Sequence, residues 1–102
     1  MELALDLLGG KWRVVILAHI KEGAQRYSDL RRAVPRMSEK MLTQRLHELE
    51  ESGLVARRGG AYCMTARGES ARRVLDALYA WGESVARETG VSIVPPAPRA
   101  RR

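Results

Sequence analysis

The chain has 102 residues, 45% of them hydrophobic and 29% charged, a length that suits one domain with one core and excludes two. With 18 Lys and Arg against 12 Asp and Glu the net charge is +6, which points to an anionic partner. One cysteine, Cys63, and two histidines exclude an intrachain disulfide framework and a metal cluster of recognisable spacing, so neither metal nor cofactor is expected.

Glu2 to Leu8 is rich in Leu and Ala, both strong helix formers, and Gly9-Gly10 stops the run. Trp12, Val15, Ile16 and Ile20 recur at helical spacing up to Gly23, with Val14 and Leu17 making that segment apolar on most sides. It reads as a central buried helix. Ser28 suits an N-cap for a short helix carrying Leu30, Ala33 and Val34, which Pro35 ends. After the turn Pro35-Arg36-Met37, Ser38 offers a second N-cap, and Leu42, Leu46 and Leu49 mark one face of a helix running to Ser52 with Gly53 as its stop. Leu54 to Arg58 and Ala61 to Thr65 are β-compatible runs separated by Gly59-Gly60, a pair suited to a tight hairpin turn. Beyond Thr65, Ala71, Val74, Leu78, Trp81 and Val85 form a heptad-like seam on a helix ending at Gly90. The Pro- and Arg-rich tail from Val91 to Arg102 has nothing to bury and is expected to be disordered, which leaves residues 1–90 as the domain.

This order of elements predicts a mainly α fold with a small β-hairpin wing, the winged helix-turn-helix plan. Charge is distributed to match. Met1 to Glu22 is neutral, Gly23 to Arg73 holds eleven basic residues against six acids, and Val74 to Gly90 is net acidic. With the Leu stripe turned inward, Lys40, Gln44, His47 and Glu51 point outward and Thr43 lies on the flank. Gln, Lys and Thr form directed hydrogen bonds to base edges in a major groove, so Lys40, Thr43 and Gln44 are the expected base readers. Arg36, with Arg31 and Arg32 on the helix before it, is placed for phosphate contact, and Ser38 for capping and phosphate. Arg57 and Arg58 precede the hairpin turn and are expected at the duplex backbone or minor groove, and His47 faces solvent or phosphate.

Polar residues opposite a Leu stripe are also the ordinary solvated face of any amphipathic helix, and arginines serve solubility on many surfaces. It is the order of elements and the clustering of charge that favour the duplex reading. A protein-interaction module using the basic face for an acidic protein partner is the alternative. A single-stranded RNA-binding domain is disfavoured, because Trp12, Tyr79 and Trp81 lie on helix seams instead of among the arginines. His19 reads as a hydrogen-bonded core or interface residue and Cys63 as a small packed residue. Asp29, Glu48 and Glu50 pair with no His or Ser in a catalytic pattern, so no enzyme is expected. No segment approaches a membrane span and no signal-peptide pattern opens the chain, so a cytoplasmic protein without a membrane partner is expected.

The segments Ala4 to Trp12, Tyr27 to Arg32, Ser38 to Glu50 and Gly53 to Val55 resemble HxlR-type winged helix-turn-helix transcriptional regulators of bacteria. Thr65 to Gly68 and Leu75 to Glu83 are similar to the family's C-terminal part. Gly9-Gly10-Lys11-Trp12 and Met41-Leu42-Thr43-Gln44-Arg45-Leu46 together carry most of the specificity. The resemblance implies a homodimer on a duplex DNA operator, expected to be a repressor, with the helix after Ser38 in the major groove. It implies pairing of subunits through the first and last helices, placing Leu5, Leu8, Trp12, Val74, Leu78, Trp81 and Val85 at the dimer interface. A small-molecule effector of unidentified nature is kept as a partner. Members that sense electrophiles or oxidants carry a cysteine just upstream of the first helix; none stands there in this sequence, so thiol sensing by that route is not expected. The segment between Arg58 and Tyr62 is also shorter than the family's usual wing.

Overall fold

A computed structural model describes residues 1–90; the tail expected to be disordered, residues 91–102, lies outside the described residues. Two helices, α1 (Glu2–Leu8) and α2 (Lys11–Lys21), meet at Gly9-Gly10. Arg13 fastens that joint: its Nε donates to the Gly9 carbonyl at 2.9 Å and its Nη1 to the Asp6 carbonyl at 3.3 Å, satisfying carbonyls that the end of α1 leaves open. Next come β1 (Gln25–Arg26), α3 (Tyr27–Ala33) and α4 (Glu39–Glu51). Strands β2 (Val55–Arg58) and β3 (Ala61–Met64) follow, then α5 (Ala66–Ser70) and α6 (Arg72–Thr89).

Ile16, Leu17 and Ile20 of α2, Leu30 of α3, and Leu42, Leu46 and Leu49 of α4 are buried in one cluster. Burying one such side chain stabilises by roughly 1.5–3 kcal/mol, so the apolar stripes, and not helix propensity, hold α3 and α4 in place. Met37 in the intervening turn is fully buried as well, and Arg31 Nη1 donates to its carbonyl at 2.9 Å. The two helices are thereby set at a fixed angle. At α4's start the Ser38 hydroxyl accepts from Met41 N at 3.1 Å, the cap expected from the sequence.

Three local expectations change. The wing is a sheet of three strands ordered β1-β3-β2, with Gln25 opposite Tyr62 and Arg26 opposite Ala61, where a two-stranded hairpin was expected. Helix α3 starts one residue before Ser28, and its first turn is closed by the Asp29 carboxylate, which accepts from Arg26 N at 3.0 Å. Ser28 is therefore inside the helix. The stretch after Thr65 is two helices broken at Ala71, because Thr65 caps a separate short α5 by accepting from Gly68 N at 3.0 Å. At Gly68 a Cβ would strike the Leu54 carbonyl oxygen, so glycine is what lets α5 lie against the start of the wing. At the wing tip both Gly59 and Gly60 have positive φ, 57° and 82°, as the tight turn requires.

The first turns of α6 are tied to the body by an ion cluster around the buried Lys21. Lys21 Nζ lies 2.7 Å from Glu22 and 3.1 Å from Asp76, and Arg72 Nη2 donates to the Lys21 carbonyl at 3.2 Å. Of its 18 residues only Leu75 and Ala86 are buried. Val74, Leu78 and Trp81 are 47%, 45% and 68% exposed, as are Leu3 (71%) and Leu5 (60%) on α1. Leu8 and Trp12 behave differently: both pack against this chain's own core.

His19 is buried, and burial lowers its pKa below the usual 6.5, outweighing the opposite pull of the Glu22 carboxylate. With a lower folded than unfolded pKa, the unfolded chain takes up more protons in the window below 6.5, so stability rises with pH there. The contribution is complete above 6.5 and erodes as pH falls toward the folded value. Urea midpoints at about pH 7.5 and pH 5.5 are expected to differ less in His19→Gln than in the unchanged chain. Identical differences would remove His19 as a source of acid sensitivity.

Candidate nucleic-acid interface

Helix α4 presents its two sides as the 3.6-residue period dictates. Leu42, Leu46 and Leu49 face the core, while Lys40, Thr43, Gln44 and His47 are all exposed. With Glu39 these four line a single shallow, open depression on the outer surface. No other element among the described residues occludes this outer face. The first turn of α4 adds the partial positive charge of a helix N-terminus, with the Met41 amide already taken by the Ser38 cap.

The hydrogen-bond partners divide the expected site residues into two groups. Lys40, Gln44, Arg36 and Arg58 are exposed and engage no side chain or backbone group among the described residues. They are free to meet a ligand. His47 Nε2 lies 3.3 Å from Glu51 Oε2, one turn along the same helix. Thr43 Oγ1 donates to the Tyr27 hydroxyl at 3.4 Å. Arg31 is held on the Met37 carbonyl, and Arg32 Nη2 lies 2.7 Å from Asp29, so neither flanking arginine is as available for phosphate as the sequence suggested.

At the wing the strand register separates two arginines that sequence reasoning grouped together. Arg57 stands opposite Tyr62 and Arg58 opposite Ala61, and successive residues of a strand face opposite sides of the sheet. The Arg57 guanidinium lies 5.2 Å from the centroid of the Tyr62 ring, with its Nε 3.6 Å from Glu50, so it braces the wing against α4. Arg58 points to the other side. There it is joined by a residue the sequence did not flag: Arg26, which β1 places on the opposite flank of the same Ala61. Arg26 also lies over the turn, since a Cβ on Gly60 would come within 2.9 Å of its Nη1. No local pattern announces Arg26, because a two-residue strand exists only through its pairing with β3.

Cys63 is partly exposed, in register with Ala56 on the same side of the sheet as Arg58. No helix among the described residues is long and apolar enough to cross a membrane.

Comparison with known proteins agrees with this architecture. The family model of the HxlR-like helix-turn-helix matches residues 7–89, from α1 to the end of α6. An uncharacterised HTH-type transcriptional regulator of Methanothermobacter thermautotrophicus is 39% identical over 90 residues, 81% of this chain and 69% of that protein. A crystal structure of the HTH-type transcriptional regulator ytcD superposes with a TM-score of 0.79 at 40% identity, covering 84% of this chain and 95% of that one. The quinone-bound YodB of Bacillus subtilis superposes at 0.74 with 33% identity, covering 82% of this chain and 96% of that one. A helix capped by Ser38 with an open polar face, a three-stranded wing behind it, and a family match across nearly all the described residues agree on one conclusion: the chain belongs to the HxlR-like helix-turn-helix family.

Proposed function

We propose that this HxlR-like regulator binds a pseudo-palindromic duplex operator as a homodimer, with the α4 helices of two subunits in major grooves one duplex turn, about 34 Å, apart. The observation that carries the reading is the outer face of α4, where Lys40 and Gln44 are exposed and engage no group among the described residues while the opposite face is sealed in the core. Lys40, Thr43 and Gln44 read bases. Arg36, beside the helix start, and Arg58 with Arg26 at the wing hold the sugar-phosphate backbone, and Ser38 caps the helix at the phosphate. His47 and Arg57 take part at the edge of this surface, each after releasing a carboxylate partner, Glu51 or Glu50.

Covering an operator excludes polymerase without any further contact surface, so repression is the simpler outcome for a domain this small. A small-molecule effector acts on the dimer, a reading supported by the quinone-bound state of YodB. The protein acts in the cytoplasm, where its operator lies, and performs no catalysis; the matched family and the relatives are regulators of transcription.

Fluorescence anisotropy titrations with duplexes selected from a random pool test the reading. Gln44→Ala is expected to lose about 1 to 3 kcal/mol on the selected operator and to relax specificity at one position. Arg36→Ala is expected to weaken all sequences alike and to lower the salt slope by about 1. Indistinguishable binding by Gln44→Ala and the unchanged chain on every duplex would refute the base-reading role. Affinity for an acidic protein with no duplex preference would establish the alternative use of the basic face.

A further inference from the structure

Of Lys40, Thr43, Gln44 and His47 on the outer face of α4, only Thr43 has its polar side-chain atom tied to another element among the described residues. Its partner is Tyr27, at the start of α3, whose ring packs against the core and whose hydroxyl emerges beside the first turn of α4. That hydroxyl lies 3.3 Å from the Glu39 carbonyl oxygen and 3.4 Å from Thr43 Oγ1. A carbonyl only accepts and a phenol carries one hydrogen, so the Tyr27 hydrogen goes to Glu39. Thr43 is then the donor to the Tyr27 oxygen. Donation runs in one direction, from Thr43 to Tyr27 to Glu39, and the single hydrogen of the threonine hydroxyl is engaged inward.

We propose that Tyr27 is a specificity-determining positioning residue: by holding the Thr43 hydrogen it leaves Thr43 Oγ1 an acceptor only, so that the base facing Thr43 is adenine or cytosine. These are the two bases whose major-groove edge carries an exocyclic amino group, N6 of adenine and N4 of cytosine. A free threonine hydroxyl turns to suit a donor or an acceptor and discriminates poorly between them. Guanine O6 and N7, thymine O4 and the phosphate oxygens all only accept, and each would set lone pairs against lone pairs at Thr43. The same polarity therefore makes Thr43 a reader of bases and not a backbone contact. The inference rests on α4 being the helix that enters the groove.

The test is selection of bound duplexes from a random pool by the full chain and by Tyr27→Phe, Thr43→Val and Thr43→Ser. The unchanged chain is expected to enrich adenine or cytosine at one operator position by about three- to tenfold over guanine and thymine, the range for one net hydrogen bond. Thr43→Ser keeps that preference. Tyr27→Phe, which retains the packed ring, brings the amino-to-keto ratio at that position close to one while other positions and the melting temperature stay as they were. An operator whose base preferences are the same for Tyr27→Phe and the unchanged chain overturns the inference alone. Loss of preference at every position together with a lowered melting temperature overturns it in favour of a packing role. If the unchanged chain enriches no sequence, the reading of α4 as a DNA-binding helix falls, and the inference with it.

Discussion

Leu46→Ala is expected to lower the unfolding free energy by about 2 to 5 kcal/mol. Leu46 is 1% exposed on the inner face of α4, within the one core cluster that α4 shares with α2 and the wing, so truncation opens a void in that core. Members of the same cluster that are themselves fully buried, Ile16, Leu42 and Leu49 among them, have little freedom to collapse into it. A domain of this size is stable by roughly 5–15 kcal/mol, so the loss is a large fraction of the whole. Urea unfolding at fixed protein concentration reads it as a lowered midpoint with unchanged slope. Leu46→Met, which nearly conserves volume, is expected to cost less than about 1.5 kcal/mol. A loss below about 1 kcal/mol for the alanine variant would show that the inner stripe of α4 is not what fixes the helix to the body. Under conditions where Leu46→Ala remains folded, its duplex affinity is expected to match that of the unchanged chain, because no outer-face residue has been altered.

The same helix shows how much of the site was legible beforehand. Leu42, Leu46 and Leu49 fall on one face at intervals of four and three, and a helix with so regular a stripe has only one way to turn its polar residues outward. Placement of Lys40, Thr43 and Gln44 followed from that period, and the cap at Ser38 and the Gly59-Gly60 turn followed from local chemistry. Tertiary pairing decided what the sequence left hidden. Strand β1 has no period of its own, and its pairing with β3 is what brings Arg26 to the wing. Register assigned Arg57 to Tyr62 and Arg58 to the other face, a distinction invisible in two adjacent identical residues. The break at Ala71 escaped because the seam read from Ala71 through Val85 is continuous in spacing, while the Thr65 cap and the close approach of Gly68 to Leu54 end α5 before that seam is properly under way. Tyr27 carried no signal of its own in the sequence, where Ser28 was read as the cap of that helix, and its link to Thr43, sixteen residues on, is a product of the α3–α4 packing.

Trp81→Glu is expected to separate the subunits of the proposed homodimer while leaving each one folded. Trp81 is 68% exposed and lies seven residues from Val74 and three from Leu78, both of which are also solvent-facing, so one side of α6 carries an apolar stripe that no other element among the described residues covers. Exposed large apolar residues in such a row mark an interaction surface, and the proposed occupant is the same stripe of a second copy. Within one chain the substitution removes little buried area, and the monomer's stability is expected to change by less than about 0.5 kcal/mol, far below the effect at Leu46. Between chains it buries a carboxylate against apolar side chains, which costs several times more. Sedimentation is expected to show a monomer where the unchanged chain gives a dimer. Loss of the second subunit makes binding of the second half-site a separate bimolecular event, so affinity for the full operator is expected to fall by about 10²- to 10⁴-fold while affinity for an isolated half-site is unchanged. A Trp81→Glu protein that still sediments as a dimer would place the subunit contact elsewhere, with the exposed Leu3 and Leu5 of α1 as the next candidates. A monomer that retained full operator affinity would instead show that one α4 reads the whole site, which would end the two-fold operator model without touching the base-reading role of Gln44.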